Sequence, residues 1–213
     1  AIRASQMGFK VILFESNDIG GTCLNRGCIP TKTILHCAKL YKEMLNSSKF
    51  GINAANISFN FSKVQERQKT VVEKIRKSLT ALLKSYGVEI INEHAKIENE
   101  HVIKTQNESY DVKNIIIATG SKPNMITFNG NYSENFVLTS DDVLNMETLP
   151  ESILIVGSGA IGTEWARIFS SFGVKVFVVE MMEKLVPAAD FEVSERVVRL
   201  LKKSIRFWMM PTS

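Results

Sequence analysis

The chain has 213 residues, 45% of them hydrophobic and 23% charged, with a formal net charge of +4. These are the proportions of an ordinary globular protein, and its lysines are spread (Lys74 and Lys77, Lys202 and Lys203) rather than massed, which argues against a nucleic-acid or membrane-surface role. No apolar run approaches the roughly 18 residues of a membrane span, no targeting peptide is evident, and three cysteines are too few for a disulfide-built scaffold.

Residues 1–8 read as the last turns of a helix, with Gly8 as its stop. Lys10 to Glu15 follows as a short strand, Val11-Ile12-Leu13-Phe14, ending in an acid. A helix feeding a strand in this way is the second half of a βαβ unit, whose opening strand and turn are not in the sequence.

The segment Gly20-Gly21-Thr22-Cys23-Leu24-Asn25-Arg26-Gly27-Cys28-Ile29-Pro30-Thr31-Lys32 comes next. In an unbroken helix, positions 23 and 28 would stand roughly 7.5 Å apart along the axis. Cysteines whose Cα atoms lie beyond about 7 Å are not bridged without backbone movement. A bridge here therefore requires an irregular turn around Gly27, and bridges in distorted surroundings are the readily reduced ones. The residues alone leave three readings open: a redox pair, a zinc site recruiting Cys23, Cys28, His36 and Cys37, or unpaired thiols. Against zinc, His36 and Cys37 are adjacent on a helix and diverge by about 100°. Cys37 is most simply a small buried helix residue.

Ile34, Leu35, Ala38, Tyr41 and Leu45 recur at helical spacing, closed by Asn46-Ser47-Ser48. Ser62 to Gln65 matches a capping box. It opens a long amphipathic helix with Val64, Val71, Val72, Ile75, Leu79, Leu82, Leu83 and Tyr86 on one side and Gly87 as its stop. Short strands are then expected at 88–91, 95–97, 101–104 and 115–118, the last leading into Thr119-Gly120-Ser121. Residues 124–150 form a longer connection, with a domain boundary at Leu149-Pro150. The chain thus divides into domains at 1–147 and 148–213.

Ser152 to Val156 reads as a buried strand entering Gly157-Ser158-Gly159-Ala160-Ile161-Gly162, followed by a helix from Thr163 to Phe172 and a strand from Val174 to Glu180. A glycine pattern between strand and helix binds a dinucleotide. Gly157 permits the tight turn, Gly159 lets the pyrophosphate approach the backbone, and Gly162 lets helix and strand pack closely. The amides that open the helix, from Ala160 and Ile161 on, face the phosphates. Glu180 accepts hydrogen bonds from ribose hydroxyls and repels a 2′-phosphate, with no arginine beside it, which selects NAD over NADP. Trp165 and Phe169 are core residues.

The cysteine segment, the Ala118-Thr119-Gly120 strand end and the Gly157 loop together resemble the flavin-dependent pyridine nucleotide–disulfide oxidoreductases over residues 1 to about 204. Within that family the wording CLNRGCIPTK is nearest the branch that oxidises dihydrolipoyl dithiols with NAD. The resemblance implies an α/β architecture of two FAD/NAD(P)-binding Rossmann-like domains, both incomplete here, with a small antiparallel β-meander. It implies FAD and NAD as cofactors and a lipoyl group on a carrier domain as the dithiol partner. It also implies a homodimer for the intact protein.

Residue by residue, the resemblance makes Cys23 the thiol that meets the substrate and Cys28 the one against the flavin. Lys32 lies near the flavin's reactive nitrogen, paired with Glu164. Glu15 holds the FAD ribose, and Gly21, Thr22, Ala95, Thr119, Gly120 and Ser121 line the same cofactor. Gly157, Gly159, Ala160, Ile161, Gly162 and Glu180 serve NAD, and no metal is implied. Cycling thiols suit a reducing compartment, so the cytoplasm is expected.

The sequence departs from the family's pattern in three places. The first glycine loop is not in the chain. The strand expected after Lys202-Lys203 gives way to Ser204-Ile205-Arg206-Phe207-Trp208, an abrupt change expected from a frameshift or a truncation. None of His36, His94 or His101 stands in the context of the family's C-terminal base. The competing assignments are a mercuric or glutathione reductase-like member of the same family and a non-catalytic NAD-binding remnant.

Overall fold

A computed structural model of the chain describes residues 1–127 and 136–209. Part of the long connection expected over 124–150 therefore lies outside the described residues, as does the chain end from 210. Among those described, the elements run α1 (Ile2–Gln6), β1 (Ile12–Phe14), α2 (Gly21–Arg26), α3 (Cys28–Leu45), α4 (Phe61–Ser85), β2 (Glu89–Ile91), β3 (Lys96–Asn99), β4 (Val102–Lys104), β5 (Ser109–Asp111), α5 (Ser140–Val143), β6 (Ser152–Val156), α6 (Ala160–Ser171), β7 (Lys175–Glu180), α7 (Phe191–Leu201) and β8 (Ile205–Met209).

The described residues form two compact units, but these do not follow a single cut at residue 147. One takes residues 1–30 and 69–127, the other residues 31–68 and 136–209. The reason lies in packing. Ile34 and Ala38 of α3 and Phe61 of α4 share a buried cluster with Trp165, Ile168, Phe169 and Phe172 of the glycine-loop half.

In the first unit β1 pairs in parallel with β2, Ile12 against Glu89 and Phe14 against Ile91. Ile19, Leu83 and Val88 form its small core with Ile2, Val11, Leu13, Leu79 and Ile90 packed around them. Beside this lies the antiparallel meander β3-β4-β5, with Ile103 opposite Tyr110. β5 has the sequence Ser-Tyr-Asp and no apolar alternation, so periodicity does not announce it. Its register comes from the turn, where the Thr105 N–H donates to the Glu108 carbonyl at 2.9 Å.

Two expectations in this region are overturned. Residues 115–118 form no strand, and Ile116 and Ile117 are 82% and 70% exposed. A strand is a pairing, and no described segment offers Ile115–Ala118 a hydrogen-bonding neighbour. The capping box at Ser62–Gln65 is also absent. α4 begins at Phe61, two residues before a helix capped by Ser62 would, and the Asn60 Oδ1 accepts from the Lys63 N–H at 3.1 Å and from the Ser62 hydroxyl at 2.7 Å. Gln65 turns inward instead, donating to the carbonyls of Val143 and Met146.

The second unit is a parallel sheet in the order β6-β7-β8, with Ile153 opposite Val176 and Val178 opposite Phe207. The central strand β7 buries Val176, Val178 and Glu180 on one face, against α6. β6 was expected to be buried outright. It alternates instead, with Leu154 and Val156 on an exposed face. The altered tail does not cost the sheet its third strand, because Ile205, Phe207 and their neighbours have the β-branched and aromatic character that pairing against β7 requires.

Candidate functional site

In the first unit the site is a glycine-shaped turn between β1 and α3. Gly20 and Gly21 have φ of +116° and +66°, the left-handed region open to glycine. At Gly20 a Cβ would lie 2.3 Å from Cδ2 of the buried Leu24, so this turn and α2 close on each other. α2 ends at Arg26, Gly27 breaks the path with φ −131° and ψ −111°, and α3 starts at Cys28. A Cβ at Gly27 would stand 3.1 Å from the Thr22 carbonyl oxygen and 3.2 Å from Cys23 Cα. The residue before Cys28 therefore rests on the backbone of Cys23, the irregular turn that a bridge between positions 23 and 28 requires. Cys23 and Cys28 are exposed thiols, and Cys37 is partly covered.

Cys28 opens an 18-residue helix, whose N-terminal dipole end favours negative charge. Pro30 is accommodated because it falls in the first turn, where its missing N–H has no intrahelical partner to lose. Thr22 Oγ1 is 3.6 Å from the Cβ position of Gly120, whose φ is +78°. These two candidate cofactor-lining residues, nearly a hundred positions apart in sequence, thus come together. Glu15 is half-buried at the end of β1, and its Oε1 accepts the Asn17 N–H at 2.9 Å. Ala95 is half-buried just before β3, while Thr119 and Ser121 are exposed beside Gly120.

In the second unit Lys32 and Glu164 meet, with Nζ 2.5 Å from Oε1 and 2.8 Å from Oε2. The lysine side chain is 60% exposed, so the pair contributes little to stability. The glycine loop has the shape its sequence called for. Gly157 has φ +94°. A Cβ at Gly162 would come to 2.1 Å from the Gly157 carbonyl oxygen and 3.3 Å from Ile155 Cγ2, whereas one at Gly159 would meet nothing within 4 Å. Gly162 is thus needed for packing, and Gly159 leaves open space at the start of α6, beside the exposed Ala160 and Ile161. That space and the opening amides of the helix fit a pyrophosphate.

Glu180 is less available than the sequence suggests. It is 5% exposed, and its Oε2 accepts both the backbone N–H and the hydroxyl of Ser158, each at 2.7 Å. Oε1 accepts the Met182 N–H at 2.9 Å. Burial pushes its pKa up, but the donors of Ser158, Met182 and Met181 more than offset this and hold it below the usual carboxylate value.

Ser158, which is wholly buried, was not singled out from the sequence. It also accepts the Val186 N–H at its carbonyl (3.0 Å) and the Thr163 hydroxyl (2.8 Å). A serine between two glycines reads as a spacer, and nothing in its neighbours signals this role. Among the described residues no group of three or more His, Cys, Asp or Glu side chains could hold a metal. No helix among them is long and apolar enough to cross a membrane.

Comparison with known proteins places these features in context. A family profile described as "Pyridine nucleotide-disulphide oxidoreductase" matches residues 1–212. A dihydrolipoyl dehydrogenase of Bacillus subtilis (strain 168) is 38% identical over 216 residues, covering 95% of this chain and 45% of that protein. One of Acholeplasma laidlawii is 39% identical over 207 residues, covering 95% and 62%. Among solved structures, the HOCl-induced flavoprotein disulfide reductase RclA from Escherichia coli superposes with a TM-score of 0.82 at 27% identity, covering 98% of this chain and 45% of that one. The chain spans about half the length of most of the relatives it matches.

Proposed function

Because the chain belongs to the pyridine nucleotide–disulphide oxidoreductase family, whose members use FAD and a pyridine nucleotide, we propose that it carries the thiol-exchange centre and part of the NAD-binding half of a dihydrolipoyl dehydrogenase. The observation that carries this reading is the break at Gly27, which sets the residue before Cys28 against the backbone of Cys23.

In this reading the oxidised pair is a Cys23–Cys28 disulfide. A thiolate of the dihydrolipoyl substrate attacks the Cys23 sulfur, the bridge breaks, and Cys28 leaves as a thiolate. The second substrate thiol, on losing its proton, attacks the mixed disulfide and releases Cys23. The substrate closes as a disulfide, and the protein holds two more electrons than before. Cys28 suits the leaving role because it sits at the amide-rich start of α3.

FAD and NAD, when bound, supply the two-electron transfer that returns the pair to the disulfide state. FAD is assigned to Glu15, Gly21, Thr22, Ala95, Thr119, Gly120, Ser121 and Lys32. NAD is assigned to Gly157, Gly159, Ala160, Ile161, Gly162 and Glu180. Glu164 serves to orient Lys32. The carboxylate at 180 favours NAD over NADP by repelling a 2′-phosphate. The whole protein is proposed to act as a homodimer in the cytoplasm on a lipoyl group borne by a carrier domain.

The test uses the purified, reduced chain and oxidised lipoamide, quenched by alkylation and read by peptide mass. The expected product is an internal bridge between Cys23 and Cys28, with one dihydrolipoamide released per chain and Cys37 still open to alkylation. No bridge, or one that takes in Cys37, would overturn the reading.

A further inference from the structure

The redox turn is held by a brace outside the cysteine pair. Asn25, midway between the two cysteines, directs its Nδ2 at three backbone carbonyls: Asp18 at 3.1 Å, Ile19 at 3.2 Å and Gly21 at 3.0 Å. Its Oδ1 accepts the Nε–H of Arg76, from α4, at 3.0 Å. The same guanidinium pairs through Nη1 with Asp18 Oδ1 at 2.8 Å. One planar fork thus grips both the helix that carries Cys23 and the loop that leads into it.

α2 needs this support. It has six residues, its N-cap is Gly20, and no side chain caps it. A helix that short does not hold itself in water. Leu24 anchors one side by burial, and Asn25 anchors the next by hydrogen bonds. Cys23 stands immediately before Leu24 and two positions before Asn25.

We propose that Asn25 and Arg76 are positioning residues for the dithiol: they pre-organise α2 so that Cys23 is held where Cys28 can close on it. The proposal rests on the reading of Cys23 and Cys28 as a reversible pair. Releasing α2 multiplies the conformations Cys23 samples in the thiol state, so closing the ring costs more entropy and the bridge becomes less favoured.

The test equilibrates the full chain in buffers of reduced and oxidised glutathione. One protein thiolate attacks a sulfur of glutathione disulfide and releases one glutathione. The other attacks the mixed disulfide and releases the second. The two protein protons pass to the glutathiones, the pair is oxidised, and glutathione disulfide is reduced. Acid quenching, alkylation and mass analysis give the equilibrium constant, with Cys37 as internal standard.

Asn25→Ala and Arg76→Ala are expected to lower that constant about tenfold, which is about 30 mV for this couple. Arg76→Lys, which keeps a charge for Asp18 but lacks the planar fork, should fall between, and it supplies the reading should either alanine variant fail to fold. Lys77→Ala, on the exposed neighbouring position that pairs with Glu73, should change nothing. A purely structural role would lower the melting temperature of the variants and leave the glutathione equilibrium in place, and that result overturns the proposal. A wild-type chain that forms no Cys23–Cys28 bridge overturns the pairing itself.

Discussion

The two substitutions Gly162→Ala and Gly159→Ala separate packing from binding within one loop. At position 162 the added methyl would lie 2.1 Å from the Gly157 carbonyl oxygen, more than an ångström short of the 3.4 Å at which ordinary contact begins. The neighbour is backbone, held by the Gly157 N–H donating to the Val179 carbonyl at 2.8 Å, so no rotamer change relieves the clash. α6 must move off β6. Overpacking of this kind costs about 1–3 kcal/mol. The gain in helix propensity on replacing glycine by alanine, at most about 1 kcal/mol, offsets part of it.

Gly162→Ala is therefore expected to lower unfolding stability by about 1–2 kcal/mol. The measurement is urea denaturation followed by the fluorescence of Trp165, which is 4% exposed and packed on Phe169. At position 159 φ is −59°, and an added methyl meets nothing. Stability should change by no more than about 0.5–1 kcal/mol, the range of a weakened N-cap. That methyl occupies the space proposed for the pyrophosphate, so NAD binding, read by titration calorimetry, should be lost from a folded chain. A Gly162→Ala chain as stable as wild type would refute the packing argument, and a Gly159→Ala chain that binds NAD normally would refute the placement of the phosphates.

Three further outcomes are expected. Glu180 is held below its ordinary value of 4.5, so its contribution to stability is present above that pH and is lost as pH falls through the lower folded value; Glu180→Gln should flatten the acid limb of a stability–pH curve and cost about 1–3 kcal/mol at neutral pH. Gln65 and Gln68 are both buried with an unsatisfied Oε1, but Gln65 also donates to two carbonyls. In urea titrations Gln65→Leu should therefore destabilise by about 1–3 kcal/mol, whereas Gln68→Leu should be neutral or stabilising. Glu164→Gln should leave stability within about 0.5 kcal/mol, since its partner lysine is largely exposed, and should instead slow turnover in the full-length flavin-loaded enzyme, measured as kcat.

Much of the fold was legible because local rules and tertiary packing agree. Gly8, Gly87 and Gly157 all take positive φ where a stop or tight turn was expected, and β6, α6 and β7 lie where the glycine pattern put them. The failures share one cause: the deciding partner lies far along the chain. Ile115–Ala118 has the composition of a strand, yet composition supplies half of a ladder, and no described segment supplies the other half. β5 is the reverse case, polar in sequence and a strand because β4 pairs with it. Gln65 satisfies the letter pattern of a capping box but finds the carbonyls of Val143 and Met146, 78 and 81 positions on, and Asn60 takes the cap instead.

The same distinction governs the site. Residue types that the proposed chemistry requires are visible in the sequence, the two cysteines and the loop glycines among them. What the sequence does not display is which of them the fold has already engaged. Glu180 illustrates the consequence. Read alone, it is a carboxylate waiting for a ribose, and replacing it with arginine is a clean swap of cofactor preference. With three donors from Ser158 and Met182 already on its oxygens, the same replacement sets a guanidinium against two N–H groups and a hydroxyl in a pocket closed to water. Loss of the loop would precede any change of preference. Cofactor choice in this chain is therefore better probed from the ligand side, by comparing NAD with NADP on the unaltered protein, where the carboxylate can repel a 2′-phosphate without first being removed from its own bonds.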